Sequence, residues 1–240
     1  MRIAVLTGAS RGLGFELATS LASDGWTLLE FSRTAPHPFS VQTDLSRPEA
    51  ARERIQQALA DLSIEGLQEV LVVHNAGVLS PIGPASRKAP DDVSANLQAN
   101  FVSGILFLTE CVRRFQEAGC RKTVLNISSG AALKEYPGWS LYGASKAGLE
   151  HFVRTLAAEQ RSEAFPFRAA NVDPGVMDTA MQETIRGATP EDFPSVGRFL
   201  QLKNEGHLAA PADVARAVLR IASLPDSALG ARLHVRDFAT

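Results

Sequence analysis

The sequence predicts a doubly wound, Rossmann-type α/β sheet of about seven parallel strands with helices on both faces. Three observations carry this reading. Short apolar runs alternate with longer amphipathic ones from end to end, and the first apolar run leads straight into a glycine-rich turn. The segments between strands are also long enough, at about ten residues or more, for helices that return the chain in the same direction through right-handed crossovers.

Taken in order, Ile3-Ala4-Val5-Leu6 reads as a buried strand and residues 15–23 as the first helix. Residues 26–31 form the next apolar run, and 39–43 a weaker strand. A helix over 48–62 follows, with Ser46 as its N-cap and Pro48 and Glu49 in its first turn. Val70-Leu71-Val72-Val73 is the clearest strand by β-branched content, and helices cover 92–118 in two pieces. A strand at 123–127, a helix at 142–161 and a strand at 167–172 come next. Residues 178–208 are polar, interrupted by Pro190 and Pro194, and read as a mobile excursion containing short helices. Helical periodicity returns at 211–223, and 231–235 closes the sheet. The expectation is one dinucleotide-binding and catalytic domain over 1–240, with a substrate-loop excursion at about 176–208.

Composition narrows the function classes. A net charge of −2 gives no global attraction to nucleic acid or to an anionic membrane. No apolar run approaches the roughly 18 residues that span a bilayer, and Thr7 to Gly12 cut the N-terminal apolar stretch too short for a signal peptide. Cys111 and Cys120 have no partner cluster, which favours a reducing, cytoplasmic compartment and inert thiols. The five histidines lack metal-ligand spacing; His74, next to Asn75, reads as a structural imidazole.

Thr7-Gly8-Ala9-Ser10-Arg11-Gly12-Leu13-Gly14 directly follows the first strand and opens the first helix. Free N–H groups and the positive helix end suit a pyrophosphate there. Gly8 takes the turn, Gly12 admits the ligand to the backbone and Gly14 lets helix and strand pack; the spacing differs from G-x-G-x-x-G. An acid about 20 positions further on binds the ribose 2′-hydroxyl in dinucleotide folds, whereas a basic residue favours a 2′-phosphate. Here Ser32 stands in the acid's place and Arg33 follows it, with Arg11 able to approach the same phosphate. Glu30 is the opposing observation, discounted because the strand is expected to end after it and because Arg11 and Arg33 oppose it. NADP(H) is the expected cofactor.

Asn75-Ala76-Gly77, Asn126-Ile127-Ser128-Ser129-Gly130 and Tyr142-Gly143-Ala144-Ser145-Lys146 complete a set of blocks. Together with the glycine turn, from Arg2 to about Thr179, they resemble the single-domain branch of the short-chain dehydrogenase/reductase family. The resemblance implies a catalytic group of Asn100, Ser129, Tyr142 and Lys146. It also implies that Asp44 and Leu45 contact the adenine, that Asn75, Ala76 and Gly77 lie along the cofactor, and that Pro174, Gly175, Val176 and Thr179 hold the nicotinamide end. In the family's arrangement Asn100 holds a water that links Lys146 to solvent, and the lysine bonds the nicotinamide ribose.

The chemistry explains these residue types. Hydride transfer to a carbonyl leaves charge on oxygen, so a positioned acid must supply a proton. Lys146 follows Tyr142 by one helical turn, and its ammonium is expected to lower the phenol's pKa from the ordinary value of about 10. Ser129 can donate to the substrate oxygen as charge develops.

The run Pro174-Gly175-Val176-Met177-Asp178-Thr179-Ala180-Met181-Gln182 resembles the subgroup of sepiapterin reductases and benzil reductases, which implies NADPH-dependent reduction of a ketone, diketone or pterin side chain. His234-Val235-Arg236-Asp237-Phe238 resembles the end of sepiapterin reductases, where an aspartate anchors the pterin; here Arg236 intervenes before Asp237. Candidate substrate residues are Leu133, Tyr136 and Trp139 after Ser129, and Met177, Met181 and Phe193 in the excursion. With Phe199 the excursion residues either make an apolar lid or pack among themselves. The expected partner is a small-molecule carbonyl compound, with assembly into a homodimer or homotetramer through helices at 100–118 and 142–161, as the resemblance implies. An NAD-dependent alcohol dehydrogenase and a non-catalytic NADP-binding sensor are the alternatives.

Overall fold

In the computed structural model, which describes residues 1–225 and 232–238, seven parallel strands form one sheet in the order β3-β2-β1-β4-β5-β6-β7. The strands are β1 (Arg2–Thr7), β2 (Thr27–Ser32), β3 (Ser40–Gln42), β4 (Glu69–His74), β5 (Arg121–Ile127), β6 (Arg168–Asp173) and β7 (Arg232–His234). The expected start of the last strand, Ala231, lies outside the described residues. Helices α1 (Gly12–Ser23), α2 (Pro48–Asp61), α3 (Pro90–Leu97), α4 (Ser103–Phe115) and α5 (Ser140–Glu159) join the strands up to β6. After β6 come α6 (Ala180–Arg186), α7 (Val196–Asn204) and α8 (Pro211–Ser223).

β1 is apolar without alternation because both of its faces are covered. Ala4 and Leu6 face α1 and α8, meeting Leu13, Leu17, Leu21, Val218 and Ile221. Ile3 and Val5 face the other layer, meeting Ile55 of α2, Phe107 and Cys111 of α4, and Val153 of α5. Each helix contributes a stripe at three- and four-residue spacing.

One local expectation changes, and another is refined. Ser46 does not cap α2: the N-cap is Arg47, and Ser46 instead donates both its N–H and its hydroxyl to Asp44. The two helical pieces at 90–115 are joined by a π-helical turn, Gln98–Val102, which carries Asn100. The segment after β6 also differs from a mobile excursion. Helices α6 and α7 and the turn between them pack Ile185, Phe193, Val196 and Phe199 into a third core with Trp139 and Tyr142 above the carboxyl end of the sheet. The order of β1 and β4 places the topological switch at that same end, where open α/β sheets bind ligands.

Candidate active site

The turn after β1 is built by contacts that only glycine permits. Gly8 has φ +72°, and a Cβ there would lie 2.8 Å from Ala76 Cα. A Cβ on Gly14 would lie 2.3 Å from Gly8 O, so the start of α1 sits directly on the turn. Thr7 Oγ1 accepts from the N–H groups of Asn75 and Ala76, each at 3.1 Å, and Asn75 Nδ2 donates to Gly8 O at 2.9 Å. The Asn75-Ala76-Gly77 block thus clamps the turn to the end of β4. α1 begins at Gly12 with no side-chain cap and no acid in its first turn, and Thr179 Cγ2 faces it, 3.3 Å from where a Gly12 Cβ would stand. Positive helix end, close-approach glycine and facing hydroxyl residue form a cradle that fits a pyrophosphate.

Glu30 is removed from competition for a ribose by a cause other than the expected end of its strand. β2 does not end at Glu30 but runs to Ser32. The Glu30 carboxylate is fully buried and accepts from Ala9 N at 2.9 Å and from Ser32 Oγ at 3.1 Å, so it supports the glycine turn from beneath. Ser32 is buried as well, accepting from Ala35 N. Arg11 and Arg33 remain exposed at the rim. Burial pushes the Asp44 carboxyl up, but hydrogen bonds from Ser46 and the charges of Arg33 and Arg47 outweigh it and hold the group below its ordinary value. Arg33 and Asp44 therefore share one end of the groove. Leu45 presents its carbonyl to Ser103 Oγ at 2.6 Å.

α5 starts at Ser140, and its pitch puts Tyr142 and Lys146 on one buried face. Lys146 Nζ donates to Ile127 O at 2.7 Å and stands 5.7 Å from the Tyr142 ring centroid. Ser129, just past β5, hydrogen-bonds Tyr142 and also accepts from Ala131 N at 3.2 Å. The expected lowering of the tyrosine pKa is not what this protein site does. Burial pushes Tyr142 up to about 12, with the Ser129 bond pulling the other way and the Asp173 charge adding to the rise. Burial likewise pushes Lys146 down to about 8, although the Glu150 carboxylate favours its charge. Desolvation wins because both groups are almost completely enclosed.

Asn100 lies on the π-helical turn and faces the chain after β4. Its Oδ1 accepts from Val78 N and its Nδ2 donates to Val78 O, both at 2.7 Å, with a further bond from Nδ2 to Asn96 Oδ1 at 3.1 Å. The side-chain amide thus pins the chain after Gly77, with both Nδ2 hydrogens used and one acceptor site of Oδ1 taken. His74 is structural: burial and the Lys146 charge push it down to about 3, keeping it neutral, with Nδ1 on Asn126 Oδ1 at 3.1 Å.

A cleft of about 420 Å³ opens beside Tyr142 and Ser129. Pro174, Gly175, Val176 and Thr179 line it, as do five of the candidate substrate residues, Leu133, Tyr136, Trp139, Met177 and Met181. Phe193 does not line it. Its ring is fully buried and stacks on Trp139 at 4.5 Å with an interplanar angle of 5°, so it supports the wall from behind.

Sequence reasoning missed the cluster that anchors this site. Arg232 on β7 bonds Glu150 Oε1, Asp173 Oδ2 and the Ser129 carbonyl, each at 2.8 Å, and Ser128 Oγ donates to the same Glu150 oxygen. Glu150 had a local signal, lying one turn beyond Lys146 on α5. Arg232 had none, since its partners lie 59 to 103 residues away.

The depressed Lys146 pKa gives a stability prediction. An unfolded lysine keeps its proton to about 10.5, whereas the folded one releases it near 8, so the unfolded state binds more protons between these values. Stability contributed by this residue therefore rises with pH across that window. Denaturation at stepped pH is expected to show that rise in the wild type relative to Lys146→Met; parallel profiles would contradict it.

The comparisons with known proteins agree with this geometry. The family model for short chain dehydrogenases matches residues 2–189. The "Benzil reductase ((S)-benzoin forming)" of Bacillus subtilis (strain 168) is 34% identical over 226 residues, 92% of this chain and 93% of that protein. The sepiapterin reductase of Meriones unguiculatus is 31% identical over 98% of this chain and 96% of its own. A short chain dehydrogenase/reductase structure from Saccharomyces cerevisiae covers all of both chains with a TM-score of 0.81 at 24% identity, which bears on the fold alone. With the family model matched over most of its length and the glycine turn, Ser129, Tyr142 and Lys146 gathered at one end of the sheet, the chain belongs to the short chain dehydrogenase family.

Proposed function

We propose that this protein is an NADPH-dependent carbonyl reductase that converts a ketone or diketone to an alcohol. The observation that carries the reading is Tyr142: a buried phenol, bonded to Ser129 beside Lys146, set in the wall of a cleft that Thr179 connects to the uncapped start of α1. The benzil and sepiapterin reductase names of two relatives support the same class.

NADPH, when bound, supplies the hydride that forms the new C–H bond at the carbonyl carbon. Gly8, Ser10, Arg11, Gly12, Leu13 and Gly14 would hold its pyrophosphate side, Asp44 and Leu45 would contact its adenine, and Asn75, Ala76 and Gly77 would lie along it. Pro174, Gly175, Val176 and Thr179, which line the cleft, would hold the nicotinamide end. Tyr142 gives its hydroxyl proton to the carbonyl oxygen as the C=O π pair moves there, so hydride plus proton complete the alcohol. A phenol pushed up to about 12 stays in its proton-bearing form across neutral pH, the form a reduction needs. Ser129 Oγ donates to the same oxygen and orients it. Lys146, fixed on Ile127 O, keeps a cationic head beside the phenol below about pH 8.

The NADP preference rests on Glu30 being engaged beneath the turn while Arg33 and Arg11 stay exposed at the rim. Arg33→Ala is expected to weaken NADPH binding about tenfold or more while leaving NADH binding nearly as it was. Fluorescence titration with both cofactors checks this, and equal affinities before and after substitution would contradict it. The overall function is tested by following NADPH consumption with benzil, other 1,2-diketones and sepiapterin. Consumption dependent on a carbonyl supports the reading; binding of NADPH without consumption by any of them contradicts it. Asp237 is exposed and lies outside the cleft lining, where Arg236 stands instead, so it lends no support to pterin anchoring.

We assign assembly as a homodimer or homotetramer to the α4 and α5 faces, which share a shallow groove lined by Val112, Phe152 and Leu156. No described helix is long and apolar enough to cross a membrane. Both cysteines are free thiols, which accords with a reducing, cytoplasmic setting.

A further inference from the structure

The cleft beside Tyr142 has a charge pattern that the carbonyl chemistry does not need. Four cationic side chains line it, Lys134, Arg198, Arg232 and Arg236, against a single carboxylate, Asp173. Arg232 is neutralised by Asp173 and Glu150, and Arg236 lies 3.5 Å from its exposed neighbour Asp237. Lys134 and Arg198 differ. Neither has a carboxylate partner among the described residues. Arg198 rests over the Phe199 ring, 5.9 Å from its centroid, with Nη1 at 3.4 Å from the Tyr136 hydroxyl. Lys134 follows Leu133, which is 63% exposed although it lines the cleft.

The two unpaired cations come from different elements, the loop after β5 and α7, and converge on one cleft. Between them and Tyr142 the wall is aromatic: Tyr136 packs on Trp139 at 4.9 Å, and Trp139 meets Tyr142 edge-on at 6.1 Å. Passing outward, a ligand would meet a proton donor, then flat apolar surface, then unpaired positive charge. An excess of one sign in a cleft with apolar walls attracts ligands of the opposite sign, and a guanidinium matches a carboxylate in shape.

We propose that the preferred substrate is an anionic carbonyl compound, in which an aromatic or apolar spacer separates the reducible carbonyl from a carboxylate bound by Arg198 and Lys134. This rests on the carbonyl-reductase reading and adds a substrate class to it. The reaction is otherwise unchanged: the C=O takes a hydride from NADPH on carbon and a proton from Tyr142 on oxygen, and the distal carboxylate keeps its charge throughout.

The test compares benzil, 4-carboxybenzil and the methyl ester of the latter, so that the diketone is constant and only the remote charge changes. At low salt the acid is expected to exceed the ester in kcat/KM by about five- to tenfold, mainly through KM, with the advantage shrinking as salt is added. In Arg198→Ala/Lys134→Ala the ratio of acid to ester should fall to about one. Calorimetric binding of acid and ester to the protein without NADPH gives the same comparison apart from turnover, with the acid tighter only in the wild type. Reduction of benzil with an acid-to-ester ratio near one would overturn the anion assignment and leave the reductase reading standing. Tighter binding of the acid with no carbonyl reduced would overturn the reductase reading and keep the anion site. Equal binding of acid and ester would overturn the proposal whatever the turnover.

Discussion

Tyr142→Phe is expected to lower kcat for benzil reduction by about a thousandfold while NADPH still binds, since a positioned general acid contributes on the order of 10²–10⁴. The substitution keeps the ring that meets Trp139 edge-on and removes only the hydroxyl. No neighbour replaces that proton. Ser129 is a far weaker acid, and Lys146 Nζ is held on Ile127 O beneath the site. Single-turnover NADPH oxidation reads the effect on chemistry, and fluorescence titration reads binding. A variant within about tenfold of wild type in kcat would show that the proton comes from elsewhere.

The second large effect is structural. Arg232→Met is expected to destabilise the fold by about 3–5 kcal/mol, because Glu150 and Asp173, whose side chains are 5% and 9% exposed, would be left as unpaired buried charges. For a chain of this size that corresponds to a melting temperature lower by roughly 10 °C. Arg232→Lys should recover only part of the loss, since a single ammonium cannot span Glu150, Asp173 and the Ser129 carbonyl as the guanidinium fork does. Calorimetry checks both variants. An unchanged melting temperature for Arg232→Met would mean that the two carboxylates find other partners or take up protons.

What was legible in the sequence follows from how local each signal is. The buried strands, the glycine turn and the Tyr142–Lys146 spacing depend on neighbours within a turn or a strand, and each lies where expected. Arg33 could be picked out because its expected role depends on distance along the chain from the glycines, and it lies exposed at the rim. For Glu30 one of the two expected causes fails, since β2 runs on to Ser32, while Arg11 and Arg33 stand exposed beside it as expected. Strand length does not remove this carboxylate; a long-range bond to Ala9 does.

Three further features depended on burial, which spacing does not encode. A lysine one turn from a tyrosine suggests a lowered phenol pKa, but enclosure of both groups reverses that direction for Tyr142. Asn100 could be picked out by residue type, but spacing does not show that its side chain closes on Val78 and Asn96. Phe193 belongs to the expected substrate segment and turns inward onto Trp139, while Arg198, five residues later, reaches the cleft. The Arg232 cluster required β7 to lie beside β6, a pairing that only the closed sheet provides.

The central claim is that hydride and proton are delivered to a carbonyl held in the Tyr142 cleft. Product analysis after incubating the protein with benzil and NADPH deuterated at its transferable position tests this most directly. Benzoin carrying deuterium on the carbinol carbon is expected, one molecule for each NADPH consumed, and none with Tyr142→Phe on the same timescale. Unlabelled benzoin, or labelled benzoin formed equally well by the variant, would contradict it.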